Sequence, residues 1–162
     1  MNQEKIVVAS EGQYMTFTLD TQQFGIPISS VREIIQEDQI TTLPHTPPFI
    51  KGVIDLRGAV IPVIDLRLKF SMVEKESSKE TCIIIIIGDD GDIGVVVDSV
   101  TEVLTFEQSQ IGAAPTISTS GHDSYVIGVA RQSDSMMLLL DITTLVSNSS
   151  SELNLSEMLP TS

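Results

Sequence analysis

The chain has no tryptophan, one cysteine and two histidines, and aromatic residues make up only 4% of it. A single cysteine, Cys82, closes no internal disulfide, so a reducing compartment suits the chain. Cys82 heads the run Cys82-Ile83-Ile84-Ile85-Ile86-Ile87 and reads as a small buried apolar residue rather than a reactive thiol. With so few aromatics the core has to be aliphatic, and the 41% of hydrophobic residues, rich in Ile, Val and Leu, is enough to build one. Cations are scarce as well: Lys and Arg number 9 against 22 Asp and Glu, a net charge of −13. That field repels phosphate backbones and anionic lipid, which excludes nucleic acid as an expected partner. The longest apolar run, 82–87, is far short of the ~20 residues that cross a bilayer. The first ten residues lack the charged start and apolar stretch of a targeting segment. The expectation is a cytoplasmic protein with no direct membrane insertion.

Motifs that carry chemistry are missing too. His45 and His122 lie in Pro- or Gly-rich stretches with no neighbouring cysteine and no paired histidine, so no metal site is expected. There is no phosphate-cradling glycine loop, no G-x-G-x-x-G and no G-x-S-x-G. Asp55, Asp65, Asp98 and Asp141 each end an apolar strand. Paired carboxylates can do acid–base work or hold a cation, but a local cap or turn explains each of these four. The balance points to a binding module without a cofactor, not to an enzyme.

What is present reads as β-structure. Tyr14–Leu19 and Phe24–Ile28 flank a polar connection, and Gly52–Leu56 and Ala59–Ile64 flank Arg57-Gly58. Cys82–Ile87 and Ile93–Val97 flank a Gly/Asp cluster, and Val126–Ala130 and Met136–Leu140 flank a fourth turn. Many short strands at this spacing predict barrels or a sandwich. Pro62 cannot donate to a ladder, which predicts an edge or a bulge for its strand. Ser30-Val31-Arg32-Glu33 and Ser99-Val100-Thr101-Glu102 fit the capping-box pattern and predict short helices, while Asp65 and Asp141 predict N-caps. Ser71–Glu80 and Gln110–Asp123 read as loops, and Glu152–Leu159 as a short terminal helix.

A weak repeat runs through the chain. Phe24–Ile35 aligns with Ile93–Leu104 at an offset of 69, with Gly, Ser, Val and Glu coinciding. Gly52-Val53 and Asp65-Leu66 align with Gly128-Val129 and Asp141-Ile142 at an offset of 76. The growth in offset falls in the Gln110–Asp123 loop. A duplication predicts two similar small β-units, centred on 14–70 and 81–146, with a groove between them where a partner can bind.

Several segments resemble one family. Gln13–Leu19 followed by Phe24-Gly25-Ile26 is similar to the opening of CheW domains, and so is Thr46–Val53 to a later family segment. Asp55-Leu56-Arg57-Gly58-Ala59-Val60-Ile61-Pro62-Val63-Ile64-Asp65-Leu66-Arg67 resembles the family's most specific stretch, with Asp55 where the family usually has Asn. Gly94–Val100 resembles the signature of the second half. The resemblance implies a mainly β fold of two intertwined SH3-like five-stranded barrels with short helices, over residues 13–146, and a tail at 147–162. It implies a non-enzymatic adaptor that joins the cytoplasmic tip of a methyl-accepting chemoreceptor to the CheW-like regulatory domain of the histidine kinase CheA, in chemotaxis or in a non-motility pathway for pili or biofilm. It carries receptor binding onto Val31, Glu33 and Arg57. Val31 buries apolar area, Arg57 binds carboxylates or helix-end carbonyls, and Glu33 orients Arg57 or pairs with a receptor base. Gly52 and Gly58 are expected to serve turns. The kinase is expected on an exposed β edge of the second half, at residues the sequence does not name.

Overall fold

The computed structural model describes residues 9–37, 40–70, 72–73, 76–88, 91–113 and 125–141. The first half gives β1 (Gly12–Leu19), β2 (Gln22–Pro27), a 3-10 turn at Ile28–Ser30 and β3 (Val31–Gln36). It ends with a hairpin of β4 (Ile50–Leu56) and β5 (Ala59–Asp65), then the short helix α1 (Leu66–Lys69). The second half repeats this order with β6 (Cys82–Ile86), β7 (Ile93–Val97) and β8 (Ser99–Phe106). After β9 (Ile111–Ala113) it closes with a hairpin of β10 (Val126–Gln132) and β11 (Ser135–Leu140). The fold is mainly β, as the strand pattern predicts.

Two sheets hold these strands, one in the order β8-β1-β2-β11-β10-β9 and the other β3-β6-β7-β5-β4. Each sheet draws strands from both halves, so the halves are interlaced and neither sheet follows the division at 14–70 and 81–146. β1 pairs with β8, placing Met15 opposite Val103, and β6 pairs with β3, placing Ile84 opposite Ile34. Two parallel pairings recur in the same way, Gly25 opposite Leu139 and Gly94 opposite Val63. The irregularities recur as well. The ladders skip Arg32 and its counterpart Thr101, and Lys51 and its counterpart Ile127. A β-bulge bends and twists its strand, so bulges at matching positions give the two halves matching curvature. The repeat is therefore written in hydrogen-bond register and not only in residue type.

The isoleucine run explains how the core is divided. Successive side chains of a strand point to opposite faces. Ile84 and Ile86 enter the central cluster shared by both sheets, beside Phe17, Ile26, Ile64 and Val95. Ile83 and Ile85 enter a smaller cluster with Ile54, Ile61, Val63 and Val96. All four of these isoleucines are fully buried, each contributing roughly 1.5–3 kcal/mol. A third cluster, of Ala9, Tyr14, Phe106, Ala130, Met137 and Leu139, is the counterpart in the six-stranded sheet.

Several expectations need correction. Neither S-x-x-E segment starts a helix: Ser30 ends the 3-10 turn and residues 31–33 lie in β3, while residues 99–102 lie in β8. Val31, Ile34 and Ile35, and Val100, Thr101, Val103 and Thr105, are β-branched or extend a β-branched run, and cross-strand packing outweighs the local cap. Pro62 lies on neither an edge nor a bulge: β5 is an interior strand. It is tolerated because its partner Val53 turns its N–H and C=O to Thr41, at 2.9 and 2.8 Å, so the Val53–Pro62 pair carries no hydrogen bond. On the other side, pairing with β7 begins only at Val63. Gly52 is not in a turn but inside β4, where a Cβ would sit 2.0 Å from the Thr41 carbonyl oxygen. The segment expected as a loop from Gln110 includes β9. Cys82 is half-buried against the central cluster rather than enclosed, and burial pushes its thiol pKa up. Asp65 caps α1 as expected, accepting from the Arg67 and Leu68 amides at 2.9 and 3.3 Å. The terminal segment 147–162, its expected helix, the segment after Asp141, His122 and the rest of the Gln110–Asp123 loop lie outside the described residues.

Candidate functional site

The β4–β5 turn is built from Arg57 and Gly58, with φ of 54° and 87°. Two consecutive residues at positive φ match the right-handed twist of a two-residue hairpin, but only Gly adopts that region without strain. Arg57 therefore holds an unfavourable backbone conformation at the tip of the turn. Asp55 closes the turn by accepting the Gly58 amide at 2.9 Å. Its carboxylate is thus used locally, as an Asn carbonyl would be, and Arg57 turns elsewhere.

Arg57 reaches across to β3. Its Nη1 and Nη2 donate to Glu33 Oε2 and Oε1 at 2.5 and 3.1 Å, a two-pronged pair. β3 and β4 are the opposite edges of the five-stranded sheet, so the pair ties its two edges together. The Arg57 side chain is still 73% exposed, against 24% for Glu33. The hydrogen bond from Arg57 is the chief reason the Glu33 carboxyl lies below the usual carboxylate range, and the same bond raises Arg57.

Beside the pair lies a groove of about 500 Å³, lined by Ile35, Thr41, Ile54, Asp55, Leu56 and Ile83. Ile35 follows Glu33 on the same face of β3, and Leu56 precedes Arg57. The lining is aliphatic apart from Gln36, Thr41 and Asp55, and the Arg57–Glu33 pair adjoins it in sequence on both strands. Such a site can bury an apolar stripe and fix its orientation by charge-assisted hydrogen bonds. The structure brings Glu33 and Arg57 together but places Val31 apart from them, half-buried against the central cluster. Gly58 serves the turn and Gly52 the close approach of Thr41.

A second polar cluster stands on the buried side. Arg67, 5% exposed, donates through Nε and Nη2 to Asp98 Oδ1 and Oδ2, both at 2.8 Å, and through Nη1 to the Val73 carbonyl at 2.7 Å. Nη2 also bonds Asp20 Oδ1, and the Asp20 amide donates to Asp98 Oδ2 at 2.7 Å. Asp98, ahead of Asp20, holds the guanidinium pKa above its ordinary value against the opposing effect of burial. The cluster ties α1, the β1–β2 turn and the β7–β8 junction. Among the described residues no three His, Cys, Asp or Glu side chains gather as a metal site, and no helix is long and apolar enough to cross a membrane.

The family model for the CheW-like domain matches residues 13–150. The chain belongs to the CheW family. It is 37% identical to the chemotaxis protein CheW of Klebsiella aerogenes, over 84% of this chain and 82% of that one. It is 32% identical to the chemotaxis protein CheW of Bacillus subtilis, over 85% and 88%. Among solved structures, the scaffolding protein TtCheW of Thermoanaerobacter tengcongensis superposes with a TM-score of 0.80 at 32% identity, covering 89% of this chain and 98% of that one.

Within this CheW-family chain, the sequence reading missed the role of Arg67. It lies in the motif stretch, yet nothing local marks it as buried, and its two carboxylate acceptors lie 47 and 31 residues away. Asp98, read from sequence as a local cap or turn, is the main partner of that buried guanidinium. The one usable signal was a cation placed two residues after the Asp65 cap, beside the buried Leu66.

Proposed function

We propose that the chain is a non-enzymatic cytoplasmic scaffold that couples the tip of a chemoreceptor to the regulatory domain of the histidine kinase CheA in chemotaxis. The observation that carries this is Arg57, held in a strained turn, largely exposed, paired with Glu33 and next in sequence to Leu56 in the lining of a mainly aliphatic groove. A costly backbone conformation that keeps a cation in place, where glycine would fit more easily, supports a binding role for its side chain. A receptor tip is a helical hairpin with an apolar stripe, which matches a groove of this chemistry. Glu33 orients Arg57 in the free protein. Val31 supports the site from the central cluster.

The kinase takes the six-stranded sheet, whose edges are β8 and β9. Val103 on β8 is 46% exposed and Met136 on β11 is 50% exposed, and open edges with apolar neighbours suit pairing with a domain of similar fold. Titrating a receptor cytoplasmic fragment and, separately, the kinase regulatory domain into wild type and Arg57→Ala tests the assignment. The expected result is loss of receptor binding with kinase binding intact. Equal receptor affinity in both proteins would remove Arg57 from the site.

A further inference from the structure

The duplication allows the groove to be compared with its own counterpart. In the register above, Ile35, Ile54 and Ile83 of the groove correspond to Leu104, Ala130 and Tyr14. These three are not open. They pack in the cluster that contains Ala9, which is 3% exposed. The chain just before β1 is fixed there by further contacts. The Tyr14 hydroxyl donates to the Ser10 carbonyl at 2.6 Å, and Glu11 N–H donates to Gln108 Oε1 at 3.3 Å. At Gly128 a Cβ would lie 2.7 Å from the Ala9 Cβ, so the glycine makes room for the segment.

The first half has no apolar cover of this kind: its loop meets Glu37 through the Ser77 hydroxyl and leaves the groove at Ile35, Ile54 and Ile83 open. The residue that matches Ala9 is Ser78, exposed in the polar loop, with its amide bonded to Thr81 Oγ1 at 2.8 Å. Where the second half buries Phe106, the first has Glu37, which is no apolar filler: its Oε1 accepts from the Ser77 hydroxyl and its Oε2 lies 3.9 Å from Lys51 Nζ. One copy of the cleft is filled by the chain itself and the other stands open.

We infer that the segment at Ala9–Glu11 is a strap occupying the second half's copy of the groove, so that of these two matching copies only the first half's is open to an apolar partner. The meaning of the open groove rests on the docking role proposed above; the strap itself does not. Its occupant is this chain's own backbone and the Ala9 methyl, chosen by the space at Gly128. Burial raises the Tyr14 phenol pKa, so release of the strap moves that titration down.

The test uses the full chain with Ala9→Arg, Gly128→Ala and the double variant Ala9→Gly/Gly128→Ala, read by binding of the apolar dye ANS and by the Tyr14 titration. Gly128 does not sit at positive φ, so alanine is acceptable to its backbone. Ala9→Arg and Gly128→Ala should each raise dye fluorescence several-fold while a cooperative melt is retained, and lower the Tyr14 pKa. The double variant should recover most of the wild-type signal; the Gly112 carbonyl, 3.1 Å from the new Cβ, keeps the recovery partial. Unchanged dye binding and Tyr14 titration in Ala9→Arg, or no recovery in the double variant, would overturn the strap. Neither readout involves the receptor or Arg57, so failure of the docking role leaves this test intact.

Discussion

Replacing Arg67 with alanine should lower stability by about 3 kcal/mol, the low end of the range for breaking a buried ion pair by removing one partner. The low end follows from the two acceptors. Asp98 is 12% exposed and loses Arg67 but keeps the Asp20 amide, while Asp20 is 55% exposed and regains water. The Val73 carbonyl also loses its 2.7 Å donor. At roughly 2–4 °C per kcal/mol for a chain of this size, the melting temperature should fall by about 6–12 °C. Thermal unfolding followed by circular dichroism measures this, with urea titration checking that the slope, and so the unfolding model, is unchanged. Replacing both members by apolar residues, Arg67→Met with Asp98→Leu, should cost less than Arg67→Ala alone, because no buried charge is stranded. A loss below about 1 kcal/mol, typical of a solvated pair, would refute the view that this cluster is a buried staple between α1 and the two junctions.

Other consequences are more local. Gly52→Ala should cost at least about 3 kcal/mol by denaturant titration, since its Cβ would collide with the Thr41 backbone at 2.0 Å and φ is 149°. Ile84→Ala should cost about 2–5 kcal/mol in the same assay, because Ile84 is fully buried in the central cluster. The Glu33 carboxyl should titrate below the usual carboxylate range by NMR and move back up in Arg57→Ala. Because its folded-state pKa is depressed, whatever the pair adds to stability is present above the unfolded-state value and is lost as pH falls through the folded one.

The hairpins were legible because their turns are short and chemically marked: Arg57-Gly58 and the Gly/Asp cluster before Ile93 bound apolar runs of strand length. The Asp65 cap was legible for the same local reason. The neighbours of each strand were not. Alternation tells which face a residue takes, but not that β1 of the first half pairs with β8 of the second, a choice made by long-range packing. The two S-x-x-E segments misled because the motif scores a helix start without weighing the β-branched residues that follow. At the site, the family resemblance grouped Glu33 with Arg57. The 24 residues between them gave no local reason for a direct pair, which arises only when the two edges of one sheet curl toward each other. Val31, grouped with them, is partly buried and packs against the central cluster.

The most direct test of the scaffold role is simultaneous binding. Receptor fragment, kinase regulatory domain and this chain are mixed and resolved by size-exclusion chromatography with light scattering. A ternary complex with wild type, reduced to the kinase-bound binary complex by Arg57→Ala, is the predicted result. Competition between receptor fragment and kinase domain for one surface of the wild-type chain would contradict the account.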